Sequence, residues 1–396
     1  MAALKKKKVI KKVIKKPTKV KKTSVKKPAP KKTVKKVIKK KIGARKVIKS
    51  RSLKKPANKG ITLSKALHNP IIEPRLYPWE SKATFNPAAV EHNGKVHLIY
   101  RAIGDDDSSV LGYASSYDGY NISERPTHFI YKRPNHFNKT DLSVQNIDYV
   151  SGGGWNGGCE DPRLTKIGKT IYMLYTAFDG WGSLRQAMTY IPLADFENQK
   201  WNWANPVLIS PPGEMAKNWV LFPEKINGKF AMLHSFYPEI RIDYFDSLQE
   251  LNGKKFIKSN NTRPVDLSRT WDSWFRGVGP TPIKTDMGWL VLYHAMDHKN
   301  PDRYRMGALI LDAKDPTRVL YRSHAPILEP EEYYENNGWK WGVVYACGAV
   351  VKEGMLFVYY GGADKVVGVA TIPLKELLED LKKHKVVKLK KSAAKI

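Results

Sequence analysis

The stretch GGCEDPRLTKIGKTIYMLYTA, residues 157–177, places two carboxyl groups at the start of an apolar strand. Glu160 and Asp161 are followed by a proline and by Arg163, and two glycines leave open space before them. A carboxyl group at such a position can have a catalytic role, so Asp161 is a candidate catalytic residue. The alternative is structural, because Asp161 could bond to backbone N–H groups or pair with Arg163, which would lower its pKa.

The stretch is one of five similar segments between residues 85 and 375. Each has a start marked by Pro or Gly, a hairpin turn such as Asn93-Gly94, an apolar strand and a second strand. The segments are FNPAAVEHNGKVHLIYRA (85–102), CEDPRLTKIGKTIYMLYTA (159–177), LFPEKINGKFAMLHSF (221–236), GVGPTPIKTDMGWLVLYHA (277–295) and YACGAVVKEGMLFVYYGG (345–362). They predict an all-β fold, a five-bladed β-propeller, because one sheet per unit can bury its faces only against its neighbours. Only LKELLEDLKKHK (374–385) has helical spacing.

Equivalent positions of the five units should converge on a central pocket of the propeller. A shift of one residue in the alignment would reverse the facing of each strand. The alignment brings to the pocket Asn86, Arg101, Asp161, Thr176, Glu224, Lys225, His234, Thr281, His294, Cys347 and Tyr360. The set contains one Asp, one Glu and several cations, rather than three carboxylates.

Motifs in all five segments resemble glycoside hydrolase family 130, the family of mannosyl-glycan phosphorylases and related β-mannosidases. The resemblance spans about residues 65–385. Its motifs are YRA (100–102), EDPR (160–163), YTA (175–177), FPEKINGKFAMLH (222–234), GVGPTPI (277–283) and YYGGAD (359–364).

The resemblance implies a five-bladed propeller that cleaves a β-mannoside with inversion, with inorganic phosphate as nucleophile and mannose 1-phosphate as product. It implies that Asp161 is the general acid and relays its proton through a sugar hydroxyl. Hydrolysis with inversion needs an acid and a base, whereas phosphate is already an anion and needs only cations to hold it. One principal acid among basic residues therefore favours phosphorolysis.

The remaining candidates would bind sugar or phosphate. Arg101 and Arg185 match phosphate or sugar contacts of the family, and the planar guanidinium suits phosphate; the alternative for both is a surface ion pair. Lys225 or Lys229 should add a further cation. The full set of binding candidates is Asn86, Arg101, Glu160, Arg163, Arg185, Glu224, Lys225, Lys229, His234, His294, Tyr360 and Asp364. We expect no metal and no cofactor other than phosphate as co-substrate.

Three other functions stay open. Phosphorylase-like members of the family often continue with Arg after the residue matching His234, where this chain has Ser235. The loss of that cation favours a hydrolytic β-mannosidase in which Glu224 or another acid of the propeller activates water. Furanosidase-like propellers need an acid where this chain has Asn86. The third alternative is a non-catalytic carbohydrate-binding propeller. Trp155, Trp181, Trp271 and Trp274 could stack on sugar rings, or pack within the protein.

The charge of the chain is concentrated at its ends. The 69 Lys and Arg residues exceed the 37 acidic residues, but residues 1–60 hold 27 of the basic residues and no acid, and residues 382–396 hold seven more. This leaves a catalytic domain at 61–381 that is almost neutral. The Lys-rich N-terminal tail is expected to be disordered, either solvated or bound to nucleic acid or another polyanion. Two distant cysteines, the absence of a signal-like apolar core and the absence of a membrane span predict a cytoplasmic protein of unknown oligomeric state.

Overall fold

The computed structural model describes residues 60–134, 156–178, 184–259 and 270–386. In these ranges the chain is predominantly β, with few helices, as the sequence predicts. The predicted basic tails, with their disorder and polyanion binding, lie outside the described residues except at residues 60 and 382–386. None of the helices in the described part of the chain combines the length and the apolar character needed to cross a bilayer.

The strands are short, and most consecutive strands pair in antiparallel orientation. They are β1 (Ser64–Lys65), β2 (Ala83–His92), β3 (Lys95–Ile103), β4 (Ser109–Ser116), β5 (Gly158–Ile167), β6 (Thr170–Phe178), β7 (Leu184–Pro192), β8 (Val207–Leu208), β9 (Val220–Leu221), β10 (Phe230–Ser235), β11 (Arg241–Phe245), β12 (Trp274–Val278), β13 (Ile283–Thr285), β14 (Gly288–Asp297), β15 (Asn300–Leu311), β16 (Val319–Arg322), β17 (Val344–Lys352), β18 (Met355–Gly362) and β19 (Val366–Pro373). The helices are α1 (Leu193–Glu197), α2 (Tyr333–Asn336) and α3 (Leu374–Lys382).

Tight turns set the register of the hairpins. Asn93 and Asn227 adopt φ of 51° at the turns of β2–β3 and β9–β10, and each is followed by a glycine that also has positive φ. Asn and Gly tolerate this left-handed conformation better than other residues, which is why Asn-Gly pairs mark two-residue hairpins. The hairpin predictions at these two positions are confirmed.

The strands form four hydrogen-bonded sheets. The largest contains β2 to β8 and consists of two antiparallel groups, β2–β4 and β5–β8, joined by one parallel pair between Ser109 and Gly158. The other groups are β9–β11, β12–β16 and β17–β19. Strand β1 adds to the edge of β19, so the start of the described chain completes the last group.

Apolar clusters lie between consecutive groups. One cluster joins β2–β4 to β5–β8, and further clusters join the second group to the third, the third to the fourth and the fourth to the fifth. Another combines Leu98 of β3 with Phe357 of β18 and Val369 of β19, which joins the fifth group back to the first. Each of the five groups of strands therefore buries both of its faces against the two neighbouring groups, which is the condition for stability in repeated β-units.

Helix α3 follows β19 directly, and the predicted helix at this position is confirmed. Leu377 and Leu381, four residues apart, are buried against the cluster of the fourth and fifth groups. The (i, i+4) spacing places both leucines on one face, so α3 covers the apolar edge of these two sheets.

Candidate active site

Two equivalent β-bulges lie at the starts of β2 and β5. They contain Asn86-Pro87 and Asp161-Pro162, and Asn86 and Asp161 have φ of 48° and 50°. Such values are uncommon for residues other than glycine, and a following proline normally favours extended backbone. Strained positions of this kind cluster at functional sites, and bulges re-aim side chains. Here they point two side chains at each other, since Asn86 Nδ2 donates to Asp161 Oδ1 at 2.7 Å.

Asp161 is buried among positive charges. Its Oδ1 lies 3.6 Å from Arg101 Nη1. Burial opposes ionisation of the carboxyl group, but the charges of Arg101, Arg163 and Lys217 and the hydrogen bond from Asn86 outweigh it and hold the pKa of Asp161 below its ordinary value. Asp161 is therefore a carboxylate at neutral pH in the ligand-free protein.

Arg101 connects the first group of strands to the second. Its Nη2 donates to Glu160 Oε1 at 2.9 Å and its Nε to Ser109 Oγ at 3.0 Å, and its guanidinium lies 4.8 Å from the centre of the Phe85 ring. Arg101 and Glu160 are both buried. The structure thus brings together Arg101 and Asp161, which the alignment places at the pocket, and Glu160, a binding candidate outside that alignment, which is held in an ion pair with Arg101.

The Arg163 guanidinium donates its hydrogen bonds to backbone carbonyls and to an asparagine side chain, rather than to the Asp161 carboxylate. Its Nη1 donates to the backbone carbonyl of Asp161 at 2.8 Å, and its other nitrogens donate to Gly279 O at 2.9 Å and to Val278 O and Asn218 Oδ1 at 3.1 Å. The guanidinium is buried and occupied by protein acceptors. Arg163 therefore anchors the strained backbone of Asp161 to the third and fourth groups.

Asp364 lies between β18 and β19, also with positive φ, and is buried to 8 % exposure. Burial raises its pKa to about 6, with the charge of Lys340 lowering it and the charge of Asp161 raising it. The two carboxyl groups thus have pKa values displaced in opposite directions, a pattern typical of sites that transfer protons.

Lys217 is the cation that the sequence analysis missed. Its charge acts on the carboxyl groups of both Asp161 and Asp364, and its side chain is half-buried. It immediately precedes Asn218, whose Oδ1 accepts hydrogen bonds from Arg163 and, at 2.7 Å, from Tyr345. No sequence signal marks Lys217, because it lies before residues 221–236, the third of the five similar segments.

His294 lies beside the site but is uncharged. Its Nε2 accepts a hydrogen bond from the backbone N–H of Ala346 at 2.9 Å, and its ring stacks on Tyr345 with centroids 4.0 Å apart. Burial, followed by the charge of Arg163, lowers the pKa of His294 to about 3. His294 was predicted to contact ligand as part of a cationic ring, and its neutral form at physiological pH excludes it as a source of positive charge there.

The structure does not bring Glu224, Lys225 and Lys229 to Asp161. Their side chains are exposed on the β9–β10 turn; Glu224 lies 3.8 Å from Lys284, Lys225 lies over the Phe230 ring and Lys229 pairs with Asp246. Asn86 and Asp161 precede their turns by seven residues, whereas Glu224 precedes its turn by three. At about 3.3 Å per residue, the alignment placed Glu224 roughly 13 Å too far along the strand.

For three other candidates, the structure shows contacts with protein groups other than Asp161. The Tyr360 hydroxyl donates to buried Glu335 at 2.8 Å, inside an apolar cluster. His234 packs edge-on against Trp219, with Nε2 3.3 Å from Asp243 Oδ1 but without hydrogen-bond geometry. Arg185 is buried on β7, where its Nε donates to Ser210 O at 3.0 Å.

Two of the tryptophans that could have stacked on sugar are used for packing. Trp271 stacks on Tyr293 at 6.0 Å, and the Trp274 ring lies 4.5 Å below the Arg276 guanidinium. Trp155 and Trp181 lie outside the described residues.

One group of side chains in the described ranges has a composition suited to a metal. His324, Asp380 and His384 have ligand atoms that all lie within 4.8 Å of one another, near the end of α3. They do not include residues of the Asp161 site.

Comparisons with known proteins point in one direction. A family model of glycoside hydrolase family 130, described as beta-1,4-mannooligosaccharide phosphorylase, matches residues 55–383. A 1,2-beta-oligomannan phosphorylase and a beta-1,2-mannobiose phosphorylase, both of Thermoanaerobacter sp. (strain X514), are 40% and 37% identical to the chain over 326 residues. These alignments cover 80% and 78% of the chain and 99% and 97% of the relatives. The solved beta-1,2-mannobiose phosphorylase from Listeria innocua, in complex with beta-1,2-mannobiose, aligns with a TM-score of 0.63 at 27% identity. That alignment covers 82% of this chain and all of that one.

Proposed function

The chain belongs to glycoside hydrolase family 130, and we propose that it is an inverting phosphorylase that cleaves β-1,2-linked mannosides to α-mannose 1-phosphate. The observation that carries the proposal is the carboxyl group of Asp161, which has a strained backbone and lies among the positive charges of Arg101, Arg163 and Lys217. The β-1,2 linkage is taken from the relatives with 40% and 37% identity rather than from the family description, which names the 1,4 linkage.

Phosphate binding would itself prepare Asp161 for catalysis. The positive charges that hold the pKa of Asp161 low are partly compensated when a dianion binds near them, so the pKa rises and the carboxyl group takes up a proton. That proton then passes to the oxygen of the leaving sugar, directly or through a sugar hydroxyl. The bond from C1 to this oxygen breaks as a phosphate oxygen bonds to the opposite face of C1. Hydrogen phosphate supplies the proton that restores Asp161, so the overall reaction is balanced.

The positions of Glu224 and Glu160 do not suit the base that hydrolysis with inversion needs. Glu224, the base considered for a hydrolytic mechanism, is exposed on a turn, and Glu160 is held by Arg101. The missing arginine at Ser235 removes one cation, but Lys217 provides another charge that acts on both site carboxyl groups.

The finer architecture is part of the same proposal. What supports a five-bladed propeller is the cyclic order of the apolar clusters, in which each group of strands packs on the next and the fifth on the first. The cytoplasmic location is supported by two free, buried cysteines. For the basic segment 1–58, deletion should preserve turnover and abolish salt-sensitive retention on heparin resin.

The test incubates the protein with β-1,2- and β-1,4-mannobiose, each with and without phosphate, and follows mannose 1-phosphate by 31P NMR. We expect turnover of the β-1,2 disaccharide that requires phosphate. Release of free mannose at the same rate without phosphate would refute phosphorolysis, and preference for the β-1,4 disaccharide would refute only the linkage. Asp161→Asn serves as the inactive control.

A further inference from the structure

The segment YYENNGWKW, residues 333–341, carries aromatic side chains on the surface. Trp339 and Trp341 are 49% and 55% exposed. Among the described residues, neither tryptophan has a ring-stacking or hydrogen-bonding partner, whereas Trp79 stacks on Tyr100 and donates its Nε1 to Thr127 O at 2.9 Å. An exposed indole without a protein partner is available to a ligand.

The backbone of this segment is fixed next to Asp364. The Lys340 N–H donates to Ala363 O at 3.1 Å, and Ala363 directly precedes Asp364. A Cβ atom on Gly338 would lie 2.2 Å from the same Ala363 carbonyl, so only glycine permits this close approach. The segment is therefore held against the turn that presents one of the two site carboxyl groups.

The base of the segment is held equally firmly. Glu335 of α2 is fully buried; its Oε2 accepts from Lys65 Nζ at 2.6 Å and its Oε1 from the Tyr360 hydroxyl at 2.8 Å. Because a buried and hydrogen-bonded carboxylate fixes its own backbone, the position of Trp339 four residues later is pre-organised rather than induced by ligand.

A cavity of about 520 Å³ opens beside Trp339. Its lining residues are Lys82, Asn336, Asn337, Gly338, Trp339 and Lys365. The volume is within the range of ordinary ligand pockets. Lys365 places the cavity next to the site. It follows Asp364 in the chain, and its carbonyl oxygen accepts a hydrogen bond at 3.0 Å from the backbone N–H of Thr84, two residues before Asn86.

The lining offers polar groups that can bind a polyhydroxylated ligand. Lys82 is partly neutralised by Asp107, whose Oδ1 lies 2.7 Å from its Nζ. The two asparagine side chains use their amide N–H groups on backbone carbonyls of α2 and the preceding residues, which leaves their carbonyl oxygens as acceptors for hydroxyl groups. An indole face together with amide and ammonium groups offers the apolar and polar contacts that a pyranose presents on its face and edge.

We propose that this cavity, the Trp339 cavity, binds a mannosyl residue of the substrate beyond the disaccharide that contains the cleaved bond. Trp339 stacks on that residue, so the cavity should make the enzyme more active on mannooligosaccharides than on mannobiose. The inference rests on the proposed function, because it concerns the leaving portion of the same β-mannoside.

The test compares Trp339→Ala with a matched control, Trp341→Ala, which removes an equally exposed indole from the same segment but outside the cavity. kcat/KM is measured for phosphorolysis of β-1,2-mannobiose and β-1,2-mannotetraose. We expect Trp339→Ala to lose about 10-fold in kcat/KM on the tetraose and less than twofold on mannobiose. Trp339→Phe should recover most of the loss, and Trp341→Ala should change neither substrate by more than twofold.

A second measurement keeps the inference separate from the reaction. Titration calorimetry without phosphate should show that Trp339→Ala binds β-1,2-mannotetraose about 10-fold more weakly than the unmodified protein. Unchanged tetraose affinity, or equal losses on both substrate lengths, would overturn the role of the Trp339 cavity even if the enzyme is a phosphorylase. Conversely, lack of phosphate-dependent turnover in the unmodified protein overturns the proposed function and leaves the calorimetric result to decide the sugar site.

Discussion

Asp161→Asn separates the catalytic role of this carboxyl group from a structural one. Asparagine has the same size and can still accept the hydrogen bond that Asn86 makes at 2.7 Å, but it cannot donate a proton. General acid catalysis contributes about 10²- to 10⁴-fold in rate. At about 1.4 kcal/mol per factor of ten, the substitution should raise the barrier for phosphorolysis of β-1,2-mannobiose by about 3–5 kcal/mol.

The assay uses two leaving groups. An aryl mannoside such as 2,4-dinitrophenyl β-mannoside departs as a stable anion and needs no proton, so the variant should lose less than about 10-fold on it while losing the full factor on mannobiose. A loss of equal size on both substrates would refute the assignment of Asp161 as the acid, because a group that only binds or positions the sugar affects both alike.

The stability of the variant provides the control. The substitution should lower the free energy of unfolding, because it weakens one charge-assisted hydrogen bond and leaves Arg101, Arg163 and Lys217 without the opposing charge of Asp161. Removing the charge of Asp161 also removes one cause of the raised pKa of Asp364, so this pKa should fall from about 6 in the variant. Side-chain carboxyl NMR titration measures this fall, and an unchanged Asp364 pKa would show that the two groups are not coupled.

Three further predictions address the surroundings of the site. Arg163→Lys should lower the free energy of unfolding, measured by urea denaturation, by about 3 kcal/mol or more, because an ammonium group cannot satisfy four fixed acceptors and leaves buried carbonyls unpaired. A variant as stable as the unmodified protein would contradict the anchoring role of Arg163. Tyr360→Phe should cost about 1–3 kcal/mol of stability by leaving Glu335 short of a donor, with kcat preserved, and a selective loss of kcat would instead restore Tyr360 as a ligand contact. Asp364→Asn should stabilise the fold at pH 7.5. The raised pKa of Asp364 means that the folded state favours the protonated acid, so the protein loses stability as the pH rises from about 4 through about 6. The variant should therefore gain up to about 3 kcal/mol in the free energy of unfolding at pH 7.5 and little at pH 4. Equal gains at the two pH values would contradict the raised pKa of Asp364.

Local signals account for the parts of the site that the sequence predicts. Asn86 and Asp161 are found because each precedes a proline and lies seven residues before its turn, so two repeats agree on the same depth. Arg101 is found because it lies at the end of a strand whose pairing is fixed by the Asn93-Gly94 turn. Where turn chemistry sets the register, periodicity is sufficient to predict which residues meet.

The errors arise where the repeat changes length or where a distant residue decides the outcome. Alignment on the FPEK motif moved Glu224 toward the site although only three residues separate it from its turn. Tyr360 occupies the expected strand end, yet its hydroxyl is taken by Glu335 from a segment outside the repeats. Lys217 and Trp339 also belong to connecting segments, and periodicity gives no information on where such segments lie.

The lowered pKa of Asp161 offers a physical reason why the proposed reaction depends on phosphate. If the acid were protonated in the ligand-free site, the leaving group could receive its proton whether or not phosphate had bound. Because Arg101 and Lys217 keep Asp161 ionised, leaving-group protonation requires an anion that offsets their charge, and in the cell that anion is the co-substrate. The same cations thus attract the nucleophile and delay the acid until it has bound. On this argument, a substitution that removes the Lys217 charge should weaken phosphate binding and raise the pKa of Asp161, because one of the three positive charges that favour its ionised form is lost.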